Sequence, residues 1–171
     1  MKYYLVDRIE SIEPGRRIVA VKNLTAAEEY LADHFPAFPV MPGVLMLESC
    51  VQSAAWLVRL MTDWSVSMVV LRRARNVRYA SFVVPGDTLR IEAQFARREG
   101  SCHTFNCVGT VDGQTAVQGR LELEAFNLAE RDARLAGADA EIVAQLKQRF
   151  MLCGGPQCVA QPPSAVPDPA K

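Results

Sequence analysis

The chain has 171 residues, half of them apolar and 22% charged, a composition that packs as one domain and excludes a disordered chain, a collagen-like repeat and a coiled coil. Lysine plus arginine equals aspartate plus glutamate at 19 each, so no bulk charge argues for nucleic acid or metal storage, and any charge argument is local. The five cysteines form no C-x-x-C pair and only two histidines accompany them, so they read as reduced thiols and no metal site is expected.

The first seven residues carry Asp7 and no apolar stretch before a small-residue cleavage site, which argues against a secretory signal and for a cytoplasmic location. Residues 17–23 form a candidate strand, and Thr25-Ala26-Ala27-Glu28 is a capping box that opens a short helix. Pro36, Pro39 and Pro42 then forbid helix and stiffen an extended loop that delivers His34.

From Gly43 to about Met61 there is no proline and no further glycine. Apolar residues cover nearly every face, so a long helix buried almost all round is expected. The longest apolar run, residues 40–47, is broken by Pro42 and Gly43 and falls short of the ~18 residues of a bilayer span. The amides of Gly43 and Val44 precede the first intrahelical bonds at the positive end of the helix dipole, where they suit an oxygen that gains negative charge. Glu48 and Gln52 stand one turn apart on one face of this apolar helix. Burial there favours the neutral, proton-donating form of the carboxyl, and a histidine is its natural partner base.

Beyond the helix the pattern has period two. Residues 67–73 form a candidate strand, and Leu89, Ile91, Ala93 and Phe95 alternate with Arg90, Glu92 and Gln94. Phe105, Cys107 and Val111 mark the next strand, Asp112-Gly113 is a hairpin signal, and Val117, Leu121 and Leu123 face inward from the last. Asp139 is placed to cap a final helix carrying Ile142, Val143, Leu146 and Phe150, with Lys147 and Arg149 complementing its dipole. Five of the ten prolines follow residue 155, so 154–171 reads as an unpacked tail. The expected organisation is a core domain over 1–126, a helical extension over 127–153 and a Pro-rich disordered tail over 154–171. The fold class is α+β: a curved antiparallel sheet wrapped around one long helix, which is the hot-dog architecture.

The loop and helix start also carry a family resemblance. Residues 33–52 resemble the signature G-H-F-P-G-x-P-x-x-P-G-V-L-x-x-E-x-x-A-Q of the 3-hydroxyacyl-[acyl-carrier-protein] dehydratases, matching at His34, Phe35, Pro36, Pro39, Pro42, Gly43, Val44, Leu45, Glu48 and Gln52. Tyr79 through Val83-Val84-Pro85-Gly86-Asp87 resembles the family's K-F-R-R-P-V-V-P-G-D, and Tyr4-Leu5-Val6-Asp7-Arg8 its L-L-V-D-R opening. Glutamate rather than aspartate at position 48 resembles the FabZ type, which dehydrates without isomerising. The resemblance implies a lyase of fatty-acid or related lipid synthesis with no cofactor. In it His34 removes the C2 proton, Glu48 assists departure of the C3 hydroxyl, and the Gly43 and Val44 amides polarise the thioester carbonyl. Gln52 is a candidate either for substrate contact or for a hydrogen bond to Glu48 or the helix end, and Tyr79 and Phe82 are candidate substrate contacts. An acyl carrier protein is the implied partner, and a homodimer sharing its sites between subunits the implied assembly.

Departures are Asp33 and Ala37 in place of glycines, the latter strained if its φ is positive, and Ala80-Ser81-Phe82 in place of R-R-P. Arg72, Arg73, Arg75 and Arg78 crowd seven residues, as a solvated strand face or as a docking patch for an acidic carrier. Two other functions share the fold: a thioesterase, which does not need the His-Phe-Pro loop, and a non-catalytic carrier-binding subunit.

Overall fold

A computed structural model describes residues 4–35 and 37–160; Pro36 and the tail beyond residue 160 lie outside the described residues. Strands β1 (Arg8–Glu13), β2 (Arg17–Asn23), β3 (Met68–Tyr79), β4 (Thr88–Glu99), β5 (Cys102–Val111) and β6 (Gln114–Phe126) form one antiparallel sheet in the order β1-β2-β4-β5-β6-β3. Its concave face wraps helix α1 (Gly43–Met61), which packs on β2 to β6 and fully buries Ala54, Leu57 and Val58. Helix α2 (Ala136–Cys153) follows the sheet. This is the hot-dog fold.

By length and hydropathy α1 passes for a membrane span, but 61% of that window is buried in the molecule. The exception to burial is its first turn and the face that follows. Val44 is 68% exposed, and Glu48 and Gln52 are half-buried. On the buried side, Ser49 and Ser53 avoid stranded hydroxyls by donating to the carbonyls of Leu45 and Ser49, at 2.9 and 2.8 Å.

Several local signals are used differently from the sequence reading. The capping box forms only a 3₁₀ turn, Glu29–Leu31, because the Glu28 carboxylate is taken by the buried Lys22 ammonium at 2.6 Å. Asp7 joins the same knot and accepts the Asn23 amide at 2.7 Å, tying the N-terminal segment to the end of β2. Asp139 does not cap α2, which starts three residues earlier; its buried carboxylate accepts the amides of Leu128 and Ala129, both at 2.9 Å, and the Ser67 hydroxyl. Lys147 and Arg149 lie over the rings of Trp64 and Tyr4 instead of the last carbonyls. Trp56, Trp64 and Phe150 form a three-ring cluster, with centroids 5.5 to 6.3 Å apart, that docks α2 on α1.

The reading of 154–171 as an unpacked tail is corrected for its first seven residues. A 3₁₀ turn at Gly155–Cys158 buries Gly155 and Cys158. Val159 then bridges Ile12 in parallel, and the Ala160 amide donates to the Ile12 carbonyl at 2.7 Å. Composition missed this because the segment needs no large side chains: it covers the open edge of β1 with backbone. The other edge, β3, stays open along twelve residues.

His103, an ordinary strand position in the sequence, is 1% exposed. Its Nδ1 faces the Ser101 carbonyl at 3.1 Å, so that nitrogen carries the proton, and Nε2 has no partner. Burial pushes its pKa down, against the Ser101 bond and with help from Arg98. The unfolded chain therefore takes the proton first. The stability tied to neutral His103 is whole above the unfolded value of about 6.5 and is lost as pH falls toward the folded one. The melting temperature is expected to fall between pH 7.5 and 5.5 by more in the wild type than in His103→Gln. Equal falls would assign the acid sensitivity to other groups.

Candidate active site

The loop before α1 positions His34. Its amide donates to the Tyr30 carbonyl at 3.1 Å, and its half-buried ring lies 4.3 Å from that of Phe35. The left-handed residue of the loop is Phe35, at φ 50, and Ala37 is not among the positive-φ residues; the glycine replaced at 37 is therefore not missed for its φ. Beyond Pro36, the Met41 amide anchors the loop to the Val83 carbonyl at 2.8 Å. The Val83–Asp87 block is a turn: Asp87 accepts the Val84 amide at 2.8 Å, and the Gly86 amide donates to Leu24.

Pro42 is the N-cap of α1, its carbonyl accepting from Leu45 and Met46. The Gly43 and Val44 amides have no acceptor among the described residues. Glycine at 43 answers a close approach: a Cβ there would sit 3.1 Å from the Tyr79 ring. His34, Gly43, Met46, Tyr79 and Phe82 line one cavity of about 480 Å³. Tyr79 and Phe82 are its exposed rim, and Phe82 stacks edge-on against Phe38 at 5.4 Å. Burial, then the nearby Cys50, pushes the Tyr79 phenol up, so it stays a neutral hydrogen-bonding group.

Glu48 is elsewhere. Gln52 donates to its carboxylate at 3.0 Å and accepts the Leu5 amide at 3.0 Å, so the amide orients the acid and is itself anchored. Both line a second cavity, about 250 Å³, with Tyr4, Trp56, Arg59, Val69 and Arg149. The two cavities touch opposite ends of β3: Tyr79 belongs to the first and Val69 to the second. The two share α1, where Met46 borders the first and Glu48 the second, two residues apart and so about 160° around the helix from each other. His34 and Glu48 of one chain therefore line different cavities, on opposite faces of α1.

The arginine cluster sits on the open edge strand. Arg72 donates to the Cys102 sulfur at 2.8 Å and Arg75 pairs with Glu122 at 3.4 Å, whereas Arg73 and Arg78 make no ion pair among the described residues. Sequence reasoning missed Arg59 and Arg149 as site residues. Arg59 continues the Glu48–Gln52 face at helical spacing and was legible on α1; Arg149 arrives from α2, and nothing local announces it.

The chain resembles known proteins over most of its length. Residues 1–120 match the model of the FabA-like domain. The 3-hydroxyacyl-[acyl-carrier-protein] dehydratase FabZ of Acetivibrio thermocellus is 36% identical over 120 residues, 70% of this chain and 82% of that protein. FabZ of Granulibacter bethesdensis is 42% identical over 118 residues, 68% and 69% of the two chains. Among solved structures, the dehydratase heterocomplex ApeI:P from Xenorhabdus doucetiae aligns over 78% of this chain and 90% of its own, with a TM-score of 0.61 at 16% identity, a likeness of fold. The His-Phe-Pro loop, the Glu48–Gln52 helix face and the match over residues 1–120 agree: the chain belongs to the FabA-like family, among its FabZ-type dehydratases.

Proposed function

We propose that this protein dehydrates (3R)-3-hydroxyacyl-[acyl-carrier-protein] to the trans-2-enoyl thioester in fatty-acid synthesis, and that it does so as a homodimer in the cytoplasm. The supporting observation is that His34 and Glu48 line separate cavities, which reach opposite ends of an open edge strand. Antiparallel pairing of two β3 edges about a two-fold axis near Ala74 sets Tyr79 of one subunit beside Val69 of the other. Each His34 cavity then abuts the partner's Glu48 cavity, and the exposed edge is covered.

In that site His34 takes the C2 proton, and the electron pair moves into the thioester carbonyl, whose oxygen is held by the Gly43 and Val44 amides. The C2–C3 double bond forms as the C3–O bond breaks, and the Glu48 carboxyl gives its proton to the departing hydroxyl, which leaves as water. The proton on His34 returns to Glu48 for the next turn. The ionised residue that stays is none, and no cofactor enters the balance.

The test is to follow the enoyl thioester chromophore with a carrier-linked 3-hydroxyacyl substrate. A dehydratase raises it without releasing free thiol. Thiol release would make the protein a thioesterase, and binding without either would make it a carrier-binding subunit.

Arg73 and Arg78 make no ion pair among the described residues, and with Arg72 and Arg75 they form the docking patch for the acidic carrier. Reversing both to glutamate is expected to raise KM for carrier-linked substrate about tenfold, in a salt-dependent way, with a pantetheine thioester nearly unaffected. A dimer on gel filtration keeps this separate from loss of assembly. Equal losses on both substrates would take the arginines out of the docking role.

A further inference from the structure

The cavity beside Glu48 has cations at its far side. Along α1 the face lining the cavity runs Glu48, Gln52, the buried Trp56 and Arg59, a distance of about 16 Å from first to last. The Arg59 guanidinium lies over the Trp56 ring, 5.5 Å from its centroid, and its Nε is buried with no hydrogen-bond partner. Arg149 enters from α2, stacks on Tyr4 at 4.1 Å, and meets the Val6 carbonyl, at 3.5 Å, and the Cys153 thiol. Neither arginine forms an ion pair among the described residues. The remaining lining is apolar: Val6, Val51, Ala55, Val69 and Leu146. Burial lowers the Arg59 pKa to about 10, which leaves it charged at neutral pH.

A hydrocarbon chain ending in a methyl group would fill the apolar wall and leave the Arg59 Nε dry and unpaired, which is costly. A planar anion offsets the unpaired guanidinium charge that borders the cavity, and a carboxylate matches the guanidinium fork. Resting on the dehydratase reading above, we propose that the Glu48 cavity selects 3-hydroxyacyl thioesters whose far end carries a carboxylate, bound by Arg59 and Arg149. Leu146 and Arg149 belong to α2, beyond the 120 residues that the family model matches, so this specificity is carried in part by the chain's own C-terminal extension. Glu48 does not compete for the two arginines, because Gln52 already holds it.

The experiment compares pantetheine thioesters of 3-hydroxyacyl chains of equal length, eight to twelve carbons by rough span of the face, ending either in a methyl or in a carboxylate. Enoyl formation is followed for each. Wild type is expected to favour the carboxylate-ended series by tenfold or more in kcat/KM, mainly through KM. Arg149→Met and Arg59→Met should each erase most of that preference, and Arg149→Lys should restore part of it. The ratio within one variant is insensitive to how much of it folds, and the wild-type preference stands without any variant. If wild type turns over the methyl-ended series as well or better, the carboxylate site is wrong and the dehydratase reading survives. If a wild-type preference persists in both methionine variants, these arginines are not its source and the proposal falls. Turnover of neither series overturns the dehydratase reading and this inference with it.

Discussion

Replacing His34 with alanine or Glu48 with glutamine is expected to lower kcat by about 10²- to 10⁴-fold, the usual worth of a positioned general base or acid, with little change in melting temperature. Both side chains are only half-buried and neither anchors the core. The two inactive variants should rescue each other. Subunit exchange between them makes half of the dimers mixed, and one of the two sites in each mixed dimer recovers both His34 and Glu48. Activity is expected to return to about a quarter of wild type, the statistical limit for a symmetric dimer. The reason is that His34 and Glu48 of one chain line separate cavities on opposite faces of α1. Exchange shown by mass, with no activity regained, would mean that the sites are not shared between subunits.

Truncation after Leu152 is expected to destabilise the protein by about 3 kcal/mol, from the apolar burial it removes, which corresponds to roughly 6–12 °C in melting temperature for a chain of this size. The deletion strips the buried Cys153, Gly155 and Cys158 and the bridge between Ile12 and Val159. It also exposes the β1 edge, so concentration-dependent aggregation should accompany the loss. Truncation after Ala160 removes none of these contacts and serves as the control. A Leu152 truncation that melts with full-length protein would show that the 154–160 segment contributes nothing to the fold.

The parts of the fold that were legible in sequence are those built by local rules. Pro42 and the unbroken apolar stretch gave α1 its limits, Gly43–Met61, alternation placed β4, β5 and β6, and residues 17–23 were read as the strand that is β2. β1 escaped because a bulge between Ile9 and Ser11 puts its buried residues, Ile9 and Ile12, three apart and destroys period two. β3 was read short because its second half, with Arg72, Arg73, Arg75 and Arg78, buries little in a single chain and carries two further irregularities of register. A stretch of strand that buries neither face shows no alternation.

By itself the sequence determined which groups are present to do chemistry and which local element presents each: a histidine on a proline-braced loop, two unbonded amides at a helix start, and an acid with its amide one turn along. These depend on φ limits, missing N–H groups and helical spacing, all of which act within a few residues. Only the tertiary structure decided where those elements stand relative to one another. It drew Glu28 away from its helix to the buried Lys22, and Asp139 away from α2 to the amides after β6. It set His34 and Glu48 in separate cavities, and it brought Arg149 to the same cavity as Arg59 across ninety residues of chain. Each of these outcomes answers a demand of burial, since a charge or backbone group removed from water takes whichever partner the fold brings within reach, however far away it lies in sequence.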